Sequence, residues 1–348
     1  MGILKIAALA FSVIGWCHSA AAQQAEFNPD SEPSRVRWSD LDDLLGSAPA
    51  VADRNFGAVV KTPTNEYWRL LTDGYRKRAA LDKVTIDVQS AQSEHDTARQ
   101  LAILHNMLGN QYDALLISPI SAENLGPAID DARREGVPIV DVDGAVAQNV
   151  RYFVGPVNFE MGQRAGRWFV DNMPSGGKVA VIEGQAGVLS TVQRTAGFRK
   201  TLSDTGRFDV TASVAGDWDR RKAHDGALRL MTENPDLVGI YCNNDTMALA
   251  AVDAAKEIGR LDTVAIIGSD GTRAAYRSIE QGELKGTVDI FPTLIGFIGL
   301  EVAQRVADGQ AVPRVVETPQ TLVTEANVLT YDVPNDALLS ILSKEKRP

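Results

Sequence analysis

Several short stretches of this 348-residue chain carry side chains suited to gripping a polyhydroxylated molecule. The first reads Lys61-Thr-Pro-Thr-Asn65-Glu-Tyr67-Trp68. Others supply Asp143, Arg194, Trp218, Asn243-Asn244-Asp245 and Asp270-Gly271. A pyranose or polyol shows apolar C–H faces and a rim of hydroxyls. The ring faces of Trp68 and Trp218 can cover the faces. Asp143 and Asp270 can each accept from two neighbouring hydroxyls, Lys61 and Arg194 only donate, and Asn65 and Asn244 do both. Bonds with one ionised partner are the stronger kind. A plainer reading stands beside each residue. Asp270 and Asn244-Asp245 could simply cap helices after strands, the tryptophans could fill a core or its rim, and Asn65 could shape a turn. Lys61 alone is a surface lysine and Arg194 alone a solvated helix residue. The set acquires meaning if the fold brings its members to one place.

Covalent chemistry is poorly represented. Asp143 and Asp270 would be the carboxylate pair of a glycoside hydrolase, yet no separate acid and nucleophile motif accompanies them, and the chain has only 4 His. No Walker or dinucleotide-type glycine loop and no Cys/His metal cluster is present. The expected action is therefore binding, not catalysis, with no cofactor and no metal.

The elements that must position these residues are legible as a rhythm. Short apolar, β-rich runs at 56–60, 84–88, 114–117 and 137–142 alternate with helical patterns, roughly one βα unit of about 30 residues apart. The rhythm restarts at 179–182, 208–214, 237–241 and 264–267, with helical periodicity over 192–202, 221–232, 246–258 and 273–281. Continuous apolar strands joined by helices imply parallel sheets covered on both faces. The expected fold is α/β, with two doubly wound parallel-sheet lobes joined by a three-strand hinge. The crossings fall at 153–157, 289–292 and 318–321, and a last apolar helical pattern spans 293–306. The first lobe is expected over 55–155 plus 291–320, and the second over 156–290 plus 321–348. Ligands of open α/β sheets lie beyond the carboxyl ends of the strands, where the stretches above fall.

The ends read differently. In residues 1–22, Lys5 precedes an apolar run at 6–16 and the small residues Ser19-Ala-Ala-Ala22. This is the pattern of a secretory signal peptide cleaved after Ala22, and the run is shorter than the ~20 residues a spanning helix needs. Bulky Trp16 before Cys17 argues against a lipid anchor. Loss of the leader leaves Cys242 as the only cysteine and excludes an intrachain disulfide. Residues 23–54 are polar, with Pro29, Pro33 and Pro49 and a short amphipathic piece at 38–45. They read as an extension partly packed on the domain surface. The chain is 44% hydrophobic and 23% charged, ordinary for a globular protein. Its net charge of -10 argues against nucleic-acid binding, which needs clustered cations.

Motifs in sequence order carry a resemblance. They are Val59-Val-Lys-Thr-Pro-Thr-Asn-Glu-Tyr-Trp68, Ile117-Ser-Pro-Ile-Ser-Ala-Glu-Asn124, Val137-Pro-Ile-Val-Asp-Val-Asp143, Gly216-Asp-Trp-Asp-Arg220, Tyr241-Cys-Asn-Asn-Asp-Thr-Met-Ala248 and Gly268-Ser-Asp-Gly-Thr272. Over roughly residues 55–330 the chain resembles the periplasmic sugar-binding proteins of the ribose/allose/galactose type, with the type I periplasmic binding protein fold. It is most similar to the D-allose-binding branch. The resemblance implies a monosaccharide or polyol held between the lobes by hinge closure, in the periplasm, and delivered to an inner-membrane ABC permease by a monomer. A chemoreceptor or sensor kinase is the alternative recipient. A sugar-responsive repressor of the same fold would need an N-terminal helix-turn-helix where this chain has its leader. The implied ligand contacts are Lys61, Asn65, Tyr67, Trp68, Asp143, Arg194, Trp218, Asn244 and Asp270. Two positions depart from the pattern. A glutamine expected on the second crossing is replaced by Ile290, with Asp289 beside it as the substitute polar contact. Gly144 follows Asp143, where the ribose branch has arginine and the allose branch glutamate. The departures keep the ligand at the level of a monosaccharide or polyol.

Overall fold

The computed structural model describes residues 27–49 and 53–344; the expected leader 1–22 and Cys17 lie outside them. Two sheets organise the chain. The first contains β1 (Val36–Arg37), β2 (Asn55–Val60), β3 (Thr85–Ser90), β4 (Ala114–Ile117), β5 (Ile139–Val142), β6 (Tyr152–Gly155) and, from far along the chain, β12 (Val315–Glu317), in the order β1-β12-β6-β5-β4-β2-β3. The second contains β7 (Gly177–Glu183), β8 (Phe208–Ala215), β9 (Leu237–Cys242), β10 (Ala265–Asp270), β11 (Gly286–Asp289) and β13 (Thr321–Val323), in the order β13-β11-β10-β9-β7-β8. All pairings are parallel except that of β11 with β13. Inner strands such as β4 are buried throughout, whereas the edge strands β3 and β8 are partly exposed along their length, as expected where one flank lacks a neighbour.

The helices are α1 (Leu41–Leu45), α2 (Glu66–Asp82), α3 (Thr97–Leu108), α4 (Gly126–Glu135), α5 (Asn158–Asn172), α6 (Leu189–Ser203), α7 (Arg220–Glu233), α8 (Asp245–Glu257), α9 (Arg273–Glu280), α10 (Pro292–Ala307), α11 (Val328–Tyr331) and α12 (Asn335–Leu342). Two pairs approach backbone to backbone. In α2 and α10, a Cβ at Gly74 would collide with the Thr293 carbonyl, and one at Gly296 with that of Leu71. In α5 and α6, a Cβ at Gly162 would strike the Arg194 carbonyl, and one at Gly197 that of Phe159. Each lobe thus seats one glycine-tight helix pair on its sheet, and each pair carries residues singled out above.

Two expectations need correction. The stretch 153–157 is not simply a crossing: Tyr152–Gly155 is a fully buried strand between β5 and β12, and the chain passes to α5 only after it. At the second crossing β11 ends at Asp289 inside the second sheet, and residues 290 and 291 lead to α10, within the expected span. A short apolar run looks the same whether it ends in a loop or in a neighbouring lobe. The extension is also more than surface packing. Its β1 extends the first sheet, Phe27 and Leu41 are buried, and the fully buried Arg305 of α10 donates to the Gly46 carbonyl at 2.9 Å and pairs with Asp42.

Candidate functional site

The loop after β2 leads into α2 through Asn65, whose Oδ1 accepts the Tyr67 N–H at 3.0 Å. That cap fixes the first turn, and Tyr67 and Trp68 follow from it, buried and edge-to-face at 4.8 Å. Lys61 lies 5.2 Å from the Trp68 ring centre, a cation–π distance. Asp143, past the end of β5, accepts from the Tyr67 hydroxyl. Its neighbour Gly144 has φ 89°, and a Cβ there would come within 3.2 Å of Lys61 Cε and 3.0 Å of the Pro119 carbonyl oxygen. Lys61 therefore lies against the backbone where a larger residue would stand.

The second lobe faces this group. Arg194 on α6 is buried, and its Nε donates to Asn158 Oδ1 at 2.9 Å. Its Nη1 donates to the Asn243 carbonyl at 2.7 Å and lies 3.5 Å from Asp270 Oδ1. Asn244 caps α8 through Met247 N–H at 2.9 Å. Trp218 sits on a tight turn, and its indole presses on Gly184, where a Cβ would overlap the ring. Its Nε1 is buried without a protein partner. Three of these residues have left-handed backbone: Asp143 (φ 55°), Trp218 (φ 61°) and Asp270 (φ 128°). Such strain in non-glycine residues gathers at sites where the surroundings impose it.

Nine of the expected residues, Lys61, Asn65, Tyr67, Trp68, Asp143, Arg194, Trp218, Asn244 and Asp270, line one chamber between the lobes, with Ser190, Gly144 and Glu94. The capping alternative also holds for Asn65 and Asn244, which do both. It fails for Asp270, because Thr272 caps α9. Asp289 is not in the chamber and is withdrawn as a contact. Its carboxylate accepts from the Tyr276 hydroxyl at 2.5 Å and the Phe291 N–H at 2.6 Å, on the wall of a different cavity. Asp289 ends β11 and turns back to tie the crossing, whereas Asp143, just past β5, faces the chamber, a difference that spacing alone does not reveal.

Glu94 was missed. Its Oε1 accepts from Asn65 Nδ2 at 2.7 Å and from Trp68 Nε1 at 3.1 Å, fixing both side chains. It lies in the loop after β3, at the same sheet edge as Lys61 and Asp143, so a search of every loop there would have found it.

The electrostatics are those of a closely balanced buried cluster. Burial lowers Lys61, against the pull of Glu94 and Asp143. Burial and Asp143 push Tyr67 well up, so it stays a neutral donor. Burial also raises Asp270 well above the usual carboxylate range, although Arg194 pulls it down, with Asp245, Asp143 and Glu94 adding to the rise. Burial alone would lower Arg194, but Asp270 and Asp143 outweigh it and hold it charged.

The chamber is narrow, with about 30 Å³ of free space between its walls. The rim is latched by contacts between lobes: Gln185 Nε2 donates to the Glu94 carbonyl at 3.1 Å, and the Ala274 N–H donates to Glu66 Oε2 at 3.2 Å. A far larger cavity, about 1210 Å³, opens at the foot of the first sheet beside Phe27, Arg133 and Arg314. It lacks the facing aromatics and carboxylates, so size does not mark the site here. Among the described residues no cluster of metal-ligating side chains occurs.

Comparison with known proteins fits this geometry. A family model described as a periplasmic binding protein domain matches residues 56–311. The D-allose-binding periplasmic protein of Escherichia coli (strain K12) is 30% identical over 268 residues, covering 74% of this chain and 86% of that protein. An ABC transporter periplasmic solute-binding protein from Actinobacillus succinogenes, solved with bound D-allose, superposes with a TM-score of 0.76 at 27% identity, covering 80% of this chain and 100% of the other. An ABC transporter solute-binding protein from Mycobacterium smegmatis with bound glycerol gives a TM-score of 0.76 at 28% identity, over 82% and 98% of the two chains.

Proposed function

The chain belongs to the periplasmic binding protein family, and from that premise we propose that it captures a monosaccharide or polyol in the chamber between its lobes. It is a substrate-binding protein of an ABC sugar importer, working in the periplasm, not an enzyme. Residues 1–22 serve as the export leader, and the mature protein acts as a monomer that hands its ligand to the permease.

The observation that carries the reading is the pairing of indoles from opposite lobes, Trp68 and Trp218, around one chamber with polar hydrogen-bonding side chains. The rings cover the apolar C–H faces, while Asp143, Asp270, Arg194 and Asn244 meet the hydroxyl rim. Buried polar groups of this kind discriminate by penalty, since an analogue lacking a hydroxyl leaves one unpaired. The first lobe (55–155 plus 291–320) and the second (156–290 plus 321–348) each offer part of the contacts. A ligand stabilises closure only by touching both, because only differential affinity shifts an equilibrium. Hinge closure of periplasmic binding proteins is a standard example of such a transition.

A thermal-shift panel of pentoses, hexoses and polyols, D-allose and glycerol among them, tests this. A ligand at 100 times its Kd adds about 2.7 kcal/mol of stability, which raises the melting temperature by several degrees. A panel in which no compound shifts the transition would refute the reading.

A further inference from the structure

Helix α5 opens the second lobe immediately after the first crossing, and its own N-cap residue is Val157, which has no side-chain acceptor. The cap comes from elsewhere. Asp30, 128 residues earlier in the extension, accepts the Asn158 N–H on Oδ1 at 3.1 Å and the Phe159 N–H on Oδ2 at 2.8 Å. The same Asn158 uses its side-chain Oδ1 to hold Arg194 Nε at 2.9 Å. One short hydrogen-bonded path thus runs from the extension through Asn158 to the guanidinium in the chamber.

The rest of the extension is built to hold that carboxylate in place. Arg35 Nη1 donates to the Asp30 carbonyl at 2.6 Å, and its guanidinium lies 3.4 Å from Glu317 and 3.9 Å from Glu160. Glu317 ends β12 just before the third crossing, and Glu160 is in the first turn of α5. Gln320, on that third crossing, also donates to Glu160 at 3.3 Å. The extension is tied to the first lobe by β1 on β12 and by Arg305 on Gly46 and Asp42. It therefore grips the first lobe at several points, the Phe27 N–H on Gln148 Oε1 at 2.7 Å and Glu32 with Arg314 at 3.7 Å among them, and touches the second lobe at its hinge end. Asp30 lies outside the stretch 56–311 that matches the family.

We propose that Asp30 is a positioning residue for ligand binding, and that the extension carrying it is a clasp across the hinge which sets Arg194 through Asn158. The proposal deepens the sugar-binding reading and rests on it for the ligand, but not for the path itself. Burial raises Asp30, and the two backbone N–H groups oppose that rise. The carboxylate is thus drawn from water toward the helix end rather than left on the surface.

The test uses the full chain with Asp30→Ala, Asp30→Asn, Asn158→Ala and, as a control outside the extension, Lys178→Ala, which breaks an exposed pair with Asp236 and is expected to change neither Arg194 exchange nor affinity. Hydrogen exchange of the Arg194 Nε–H and of the Asn158 and Phe159 amides is followed by NMR without ligand. D-Allose affinity is measured by calorimetry. Asp30→Ala is expected to speed exchange at all three groups and to weaken D-allose binding by up to roughly 2- to 30-fold, the range a lost N-cap allows. Asp30→Asn, which keeps one carbonyl acceptor and folds more readily, is expected to fall between. Asp30→Ala should cost little more once Asn158→Ala is present, because one path is already cut. Unchanged Arg194 Nε–H exchange in either folded Asp30 variant overturns the proposal, as does full additivity with Asn158→Ala. If the unsubstituted chain fails to bind D-allose or any panel sugar, the ligand reading fails, and Arg194 exchange still decides the positioning role.

Discussion

Trp218 owes its place to two consecutive left-handed residues, Asp217 (φ 52°) and itself (φ 61°), and to the bare backbone of Gly184 beneath its ring. Truncating a buried aromatic that anchors a ligand typically costs about 2 kcal/mol or more. Trp218→Ala is expected to weaken, about 30-fold, binding of whichever sugar or polyol most stabilises the parent protein, while the ligand-free protein stays folded by circular dichroism; unchanged calorimetric affinity would remove the ring from the site. Gly184→Ala should mimic the loss by displacing the indole. Asp245, behind the chamber, shows a second residue-scale effect. Its carboxylate accepts from Gly271 and Thr272 N–H groups and from the Thr272 and Thr287 hydroxyls. Burial nevertheless pushes it up to about 7. A carboxyl raised in the folded state binds its proton more tightly there than in the unfolded chain, so its contribution to stability falls as pH rises from about 4 to about 7. Melting temperatures across that window should fall less steeply in Asp245→Asn than in the parent. Identical slopes would show that Asp245 does not titrate there.

At the scale of elements, both chamber walls depend on helix pairs packed through glycine. Helix α2, which carries Tyr67 and Trp68, meets α10 through Gly74 and Gly296, and α6, which carries Arg194, meets α5 through Gly162 and Gly197. A methyl group at Gly162 would push directly on the Arg194 carbonyl. Overpacking of this kind costs about 1–3 kcal/mol, so Gly162→Ala is expected to lower the denaturation midpoint and also weaken ligand binding. Gly74→Ala should cost similar stability but disturb the wall that carries the tryptophan. A Gly162→Ala protein with parental stability would mean that the helices separate without strain. The capped starts of α2 and α8 serve the same end: Asn65 and Asn244 close a helix end and face the chamber at once.

The molecule as a whole is arranged so that neither lobe can complete the site. Lys61, Asn65, Tyr67, Trp68, Glu94 and Asp143 come from one sheet's edge, and Ser190, Arg194, Trp218, Asn244 and Asp270 from the other's. The rim contacts of Gln185 with Glu94 and of Glu66 with Ala274 would break on opening. Small-angle scattering should therefore report a smaller radius of gyration with a sugar or polyol shown to stabilise the protein than without it, and Trp218→Ala should lessen that change. A radius independent of ligand would mean that the sugar binds without closure.

Much of this arrangement is local and so was readable from the chain. Alternating apolar runs and helical periodicity declare βα units, because a buried parallel strand needs continuous apolar residues and a covering helix needs one apolar stripe. Loops after such strands must lie at one sheet edge, which gathers residues such as Lys61, Asp143, Asn244 and Asp270 into one neighbourhood; the full contact set, with Asp289 wrongly in it, was legible only through the family resemblance. What the chain alone did not determine depends on contacts between distant segments. Whether Asp289 turns toward the ligand or ties Phe291 and Tyr276, whether Glu94 reaches Asn65 and Trp68, and whether residue 30 meets a helix beginning at residue 158 are matters of packing across the fold. A polar side chain announces that it needs a partner. Only the closed tertiary structure, by excluding water and bringing distant donors within 3 Å or so, selects which partner it gets.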